Sequence, residues 1–171
     1  MDETMRIALE AEFDEKSAKL SDMMEKMPEM QAAYAQYEAA ARALAVKEAE
    51  NAAREEDAEV ERMQGHCEKA LSNLNAAKES GDDARVAPCQ AAYEAELLAF
   101  DLAKKRQQEA YSRYEAALTQ QGFESKDAYQ QAFLPKPKFM KLEETIQPFR
   151  KEYAQLLARC EEIETLLSEN E

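Results

Sequence analysis

At 171 residues the chain is long enough for one ordinary domain, but 3 glycines, 5 prolines and no tryptophan leave little turn chemistry and few large core anchors. Ala, Glu, Lys, Leu, Gln and Arg dominate, the residues that enter helices at least cost, so the composition points to an elongated all-α protein and away from a compact core. A formal net charge of -14, from 36 acidic and 22 basic residues, would repel a phosphate backbone and excludes direct nucleic-acid binding by most of the surface.

The first periodic stretch runs through Leu9, Phe13, Leu20, Met23, Met27, Met30, Tyr34, Tyr37, Ala41 and Leu44, in alternating steps of three and four, with Lys16 at one seam position. Pro28 interrupts it. A proline inside a helix removes a hydrogen bond and clashes with the preceding turn, but the phase survives, which predicts a kink and not a stop. Beyond Leu44 the seam shifts to Val46, Ala49, Ala53, Val60, Met63, Cys67, Ala70, Leu74 and Ala77, with Glu56 at one position; a shift of this kind unwinds a coiled coil locally without ending it. The first arm is therefore 1–79.

Residues 80–87, with Ser80, Gly81, Asp82 and Asp83, make the best turn in the sequence, and Pro88 is placed to open a new helix. From 88 to 120 the seam resumes through Tyr93, Leu97, Phe100, Tyr111, Tyr114 and Leu118, with Lys104 and Gln107 as polar members. Gly122 ends this helix, Ser125 caps a short one, and Pro135 with Pro137 ends that in turn, so 121–138 forms an elbow. From 139 to 171 the pattern is clearest: Phe139, Leu142, Ile146, Phe149, Tyr153, Leu156, Cys160, Ile163 and Leu167 follow the heptad spacing without a miss. A 3.5-residue repeat keeps one narrow stripe facing a partner only when two helices wind around each other.

If the chain folds back about Asp83, partners on the two arms have residue numbers totalling roughly 167, given equal rise on both arms. Phe139 then lies opposite Pro28, and residues 1–27 are the partner of the last helix. The expected fold is a long antiparallel helical hairpin coiled coil with an elbow; a folded-back helical bundle is the alternative. Seam residues left over by imperfect pairing would offer a homodimer contact.

Chemistry-bearing motifs are scarce. No phosphate-cradling GxxxxGK[ST], GxGxxG or HExxH occurs, so no catalytic residue, cofactor or metal ligand is assigned and the chain is not read as an enzyme. Met63, His66 and Cys67 supply soft-metal ligand types, but Cys67 fits the seam as a small apolar residue and no third ligand is suggested. Glu55-Glu56 and Glu161-Glu162 would be acid–base pairs only in a cleft, and solvated helix surface explains them. The cluster Met23, Met24, Met27 and Met30 reads as plastic packing beside the proline, and Tyr93, Phe100, Tyr111 and Tyr114 read as core and not as a base-stacking platform. Cys67, Cys89 and Cys160 are widely spaced without a CxxC and are expected to be reduced thiols. No run approaches the roughly 20 apolar residues that span a bilayer and no apolar leader follows Met1, so the expectation is a soluble, cytoplasmic protein without membrane partners.

The stretch from Ala110 to Leu167 carries a resemblance. Gly122-Phe123 closing a helix, Ser125 capping a short helix with Tyr129, a break at Phe133-Leu134 and then the Phe139 seam follow the order of the descending coiled coil of the bacterial SbcC family, the SMC-like ATPase subunit of the SbcCD nuclease. The resemblance covers roughly the last 60 residues, the rest agreeing only as coiled coil. It implies a piece of an arm that links ATPase heads to a distal apex in an ATP-dependent DNA double-strand-break repair exonuclease. ATP, magnesium, the nuclease subunit and DNA would be met only through that parent. The family's nucleotide-binding loop, signature motif, Walker B strand and zinc-hook CxxC have no counterpart in this sequence, Cys89 being single near the turn. A stand-alone acidic coiled-coil scaffold or adaptor is the alternative.

Overall fold

The computed structural model describes residues 1–170, which form four α-helices and no strand: α1 (Glu3–Ser80), α2 (Asp83–Gln120), α3 (Lys126–Ala132) and α4 (Lys136–Ser168). The fold is all-α, as the composition and periodicity lead one to expect, and its helix pairing fits a hairpin or a bundle. Asp2 caps α1, its Oδ1 accepting the Met5 N–H at 2.9 Å. The helix passes through Pro28 as one element. The proline has no N–H to give the Met24 carbonyl, and both residues are exposed, so water can take that bond.

The reversal is tighter than the sequence suggests. Only Gly81 and Asp82 lie between α1 and α2, so the turn is not 80–87 and Pro88 does not open the helix. Gly81 takes φ 71°, a conformation it alone adopts cheaply, and Asp82 and Asp83 sit where the positive end of the helix dipole favours acids. Pro88 lies inside α2, where its missing N–H leaves the carbonyl of exposed Ala84 to solvent.

At the far end of α2 the Gly122 N–H reaches the Thr119 carbonyl at 3.0 Å and the Phe123 N–H reaches Leu118 at 2.9 Å, with Gly122 at φ 76°. These two bonds are the Schellman stop that satisfies the last carbonyls of a helix. Ser125 Oγ accepts the Ala128 N–H at 3.0 Å and starts α3. Pro135 and Pro137, fixed near helical φ, start α4 at Lys136, three residues before Phe139.

The chain packs as two units. In the first, Met1–Ala41 with the chain from Ala132 onward, the early part of α1 lies antiparallel to α4: Glu12 meets Arg159 and Tyr37 meets Phe139. Ile146, Leu156, Cys160 and Ile163 are buried and the other five α4 seam positions are half-buried. The register differs from expectation. Phe139 stacks on Tyr37, with ring centroids 4.9 Å apart, and not on Pro28, nine residues earlier. Equal rise on both arms fails because the loops and short α3 between Gln121 and Pro135 use up chain without advancing as one helix. The α1 partner of α4 accordingly extends past residue 27 to Tyr37. Met27 and Met30, beside Pro28, share a shallow groove with Ile146 and Phe149, which flank Pro148 in the chain, so the two interior prolines fall at a similar level of the pair, both exposed.

In the second unit, Arg42–Gln131, the later part of α1 lies antiparallel to α2 and α3 docks beside them. Its seam is rich in small residues: Ala43, Val46, Ala53 and Ala77 on α1 and Ala103 and Ala110 on α2 are all but inaccessible. The phase shift comes earlier than expected, since Ala40 and Ala43 are buried while Ala41 and Leu44 are exposed. On α2, Ala103 takes the seam, and Leu97 and Lys104 are exposed. Alanine covers too little area for periodicity alone to choose between adjacent positions.

Candidate functional site: a buried carboxylate–tyrosine node

Glu50 is the one buried charged residue among the described residues, 6% exposed in the middle of the second unit. It follows Val46 by one helical turn and precedes Ala53 by three residues, which places it on the seam. A lone carboxylate there would be costly. It is not alone. Arg54 Nη2 lies 2.8 Å from Oε1 and Lys47 Nζ 3.5 Å, one turn after and one turn before on α1. From α2 the Tyr114 hydroxyl donates to Oε2 at 3.5 Å, and α3 contributes the buried Tyr129, whose ring meets that of Tyr114.

Around this carboxylate the rings close the space. Tyr129, 1% exposed, meets Tyr114 edge-on at 6.3 Å and Phe123 at 6.0 Å, geometries that suit aromatic quadrupoles. Lys126 Nζ lies 5.3 Å from the centre of the Tyr114 ring. Two turns along α1, Asp57 accepts the Tyr111 hydroxyl at 2.5 Å and the Gln107 amide at 2.7 Å. At the other end Arg42 donates to the Gln121 carbonyl at 2.6 Å and lies over the Phe123 ring, a cation at the negative end of α2.

Electrostatics follow from these contacts. Burial pushes the Glu50 carboxyl up, but the Tyr129 hydroxyl, Lys47 and Arg54 outweigh it and hold the group below the ordinary carboxylate range. Hydrogen bonds from Tyr111 and Gln107 hold Asp57 low as well. Burial first, and then the neighbouring carboxylate, push the Tyr114 and Tyr129 phenols up; for Tyr111 the bond to Asp57 is the leading cause. The node at pH 7 is thus an ionised carboxylate held by neutral phenols and two cations. Such an arrangement fixes register and docks one element on another.

The residues weighed in the sequence fall elsewhere. His66 Nδ1 stands 3.7 Å from Glu96 Oε2 on α2, with Met63 and Cys67 buried beside it in the seam. Among the described residues no group of three His, Cys, Asp or Glu is placed to hold a metal. Cys67 and Cys160 are buried free thiols and Cys89 is half-buried; burial and then the acids Glu96, Asp101 and Glu68 push the Cys67 thiol up, which keeps it protonated. Glu55, Glu161 and Glu162 are exposed, Glu162 pairing with Arg159 at 2.9 Å, and half-buried Glu56 faces Arg106 at 3.9 Å. Of the aromatic run, Tyr114 is buried and Tyr93, Phe100 and Tyr111 are half-buried. Of the polar seam members, Gln107 bonds Asp57, whereas Lys104 lies over the Phe100 ring at 4.5 Å.

Periodicity does not single out Glu50 or Asp57, and Tyr129 enters only as the aromatic residue of the short helix in the resemblance. The available signal was Glu50 fitting the 46–53 interval as well as Ala49 does, with a cation one turn away on either side. No described helix is long and apolar enough to cross a membrane. No protein-family model, curated protein or solved structure matches the chain.

Proposed function

We propose that this chain is a non-catalytic coiled-coil arm of the kind found in the SbcC family. In that role it is a mechanical element connecting ATPase heads to a distal apex and transmitting their opening and closing. ATP, magnesium, the nuclease subunit and DNA belong to the rest of the parent protein, which works in the cytoplasm.

The observation that carries this reading is the return of α4 onto the early part of α1 within one chain, after a glycine stop at Gly122 and a short Ser125-capped helix. That succession is the order in which the resemblance runs. The antiparallel pairing lets one chain go out and come back, as an arm between heads and apex must. The acidic helical surface supports a spacer more than a nucleic-acid clamp.

The test is the mass of the native product in extract of the source cells, detected with an antibody raised against this segment. A band several times heavier than 19.4 kDa, whose flanking sequence carries nucleotide-binding motifs, is expected. A band at 19.4 kDa would overturn the arm and leave a stand-alone acidic scaffold.

A further inference from the structure

The first unit carries a proline inside each of its paired helices, Pro28 in α1 and Pro148 in α4, both exposed. Each lacks the N–H that would bond the carbonyl four residues back, that of Met24 in α1 and of Glu144 in α4, and its ring crowds that carbonyl. The two gaps coincide. Tyr37 stacks on Phe139, Pro28 comes nine residues before Tyr37, and Pro148 comes nine residues after Phe139, so equal rise along antiparallel helices puts both prolines about 14 Å from that stack. One continuous helix can splint a gap in its partner, as α1 does for Pro88 in α2, since α1 has no proline beyond Pro28. At the level of Pro28 neither helix is whole. The side chains between them are also adaptable: Met27 and Met30 meet Ile146 and Phe149 along a shallow groove, and methionine repacks readily because its thioether chain has three rotatable bonds. On either side the pair is tied, by the Tyr37–Phe139 stack toward one end and by the two-pronged Arg159–Glu12 pair at 2.7 and 2.9 Å toward the other.

We propose that this level is a hinge: the helix pair of the first unit bends at Pro28 and Pro148 without unpairing, and the tied segments on either side move as rigid pieces. A proline bends its helix away from its own ring, and sharp bends in helices gather at such residues. Bending there breaks no further backbone hydrogen bond in either helix, whereas bending elsewhere in the pair strains an intact ladder in at least one of them. The hinge belongs to the helix pair itself and stands whatever the mass of the native product.

Double electron–electron resonance on the full chain tests it, with a spin-labelled amino acid built in at exposed Asp14 and Ala32, which lie 18 residues, or five turns, apart on the face of α1 near Pro28. The same labels at Asn51 and Lys69, also exposed and 18 residues apart, span a proline-free stretch of α1 in the second unit. Both spacings are about 27 Å along the helix. The distance distribution across Pro28 is expected to be about twice as wide as that of the proline-free pair. Pro28→Ala and Pro148→Ala each restore one ladder with the residue that best suits a helix. Each alone should bring the width across Pro28 down to that of the proline-free pair, and the double variant should narrow it no further. Equal widths in the parent chain would overturn the hinge. Excess width that survives either single substitution would overturn the coupling of the two prolines, and with it the proposal.

Discussion

The two units solve the same packing problem with different proportions of large and small residues. In the first, rows of large side chains face each other: Phe13, Leu20, Met23, Met27, Met30 and Tyr37 on α1 against Phe139, Ile146, Phe149, Tyr153, Leu156 and Ile163 on α4. None of those six α1 residues is fully buried, although Ile146 and Ile163 opposite are. In the second, alanines and Val46 are sealed among a few larger buried residues such as Leu74 and Tyr114, and even a carboxylate is buried. Helix separation depends on the side chains at the contact, so small residues let backbones approach and close over one another, whereas two facing rows of large ones leave their edges in water. The polar node lies in this second unit, where α1 brings Lys47 and Arg54, α2 the Tyr114 hydroxyl and α3 the Tyr129 ring to the surroundings of one carboxylate.

The contrast can be broken by substitution. The largest effect is expected at Ile163, fully buried in the first unit: Ile163→Asp places an uncompensated charge in the seam and should destabilise that unit by on the order of 3–5 kcal/mol. Urea unfolding followed by hydrogen exchange should show lost protection in α4 with the second unit largely retained. Unchanged protection in α4 would mean its seam is not what holds it.

Smaller effects sharpen the distinction between open and sealed seams. Ala110→Leu adds volume to a sealed alanine contact and should cost about 1–3 kcal/mol, while Met27→Leu, nearly volume-conserving at a half-exposed position, should cost less than about 1.5 kcal/mol. Equal costs in thermal melts would remove the difference drawn between the units.

The smallest effect is one of pH. The folded Glu50 carboxyl titrates below its ordinary value of 4.5, so its contribution is fully present above that value and is lost as the pH falls through the lower folded one. The raised Tyr114 and Tyr129 phenols act at the other end: their contribution is present below their ordinary value of 10.0 and is lost as the pH rises beyond it. The stability difference between the parent chain and Glu50→Gln should therefore be flat near neutrality and shrink on acidification below 4.5. A difference that persists unchanged at pH 3 would show that the carboxylate's charge plays no part.

Helical class, the reversal near Gly81, the stop at Gly122 and the inward face of α4 were all legible in the sequence, because each rests on local chemistry. Glycine at positive φ, a serine cap and an unbroken three-four spacing of large side chains act within a few residues of themselves. The start of α2 was less legible: Pro88 is a strong signal for a first turn, yet one exposed lost hydrogen bond was tolerated and the helix began at Asp83. Along α1 the spacing left Ala40 and Ala41, and Ala49 and Glu50, equally eligible for the seam.

Only the tertiary structure decided among these. Which alanine is buried depends on what stands opposite, and which glutamate can be buried depends on Tyr114 and Tyr129, 64 and 79 residues away in the chain. The register of α4, with Phe139 stacked on Tyr37, follows an irregular stretch whose reach no periodicity encodes. Periodicity determines that a helix has a face to bury. The partner's side chains, brought close by folding, determine which residues on that face are sealed and in what register.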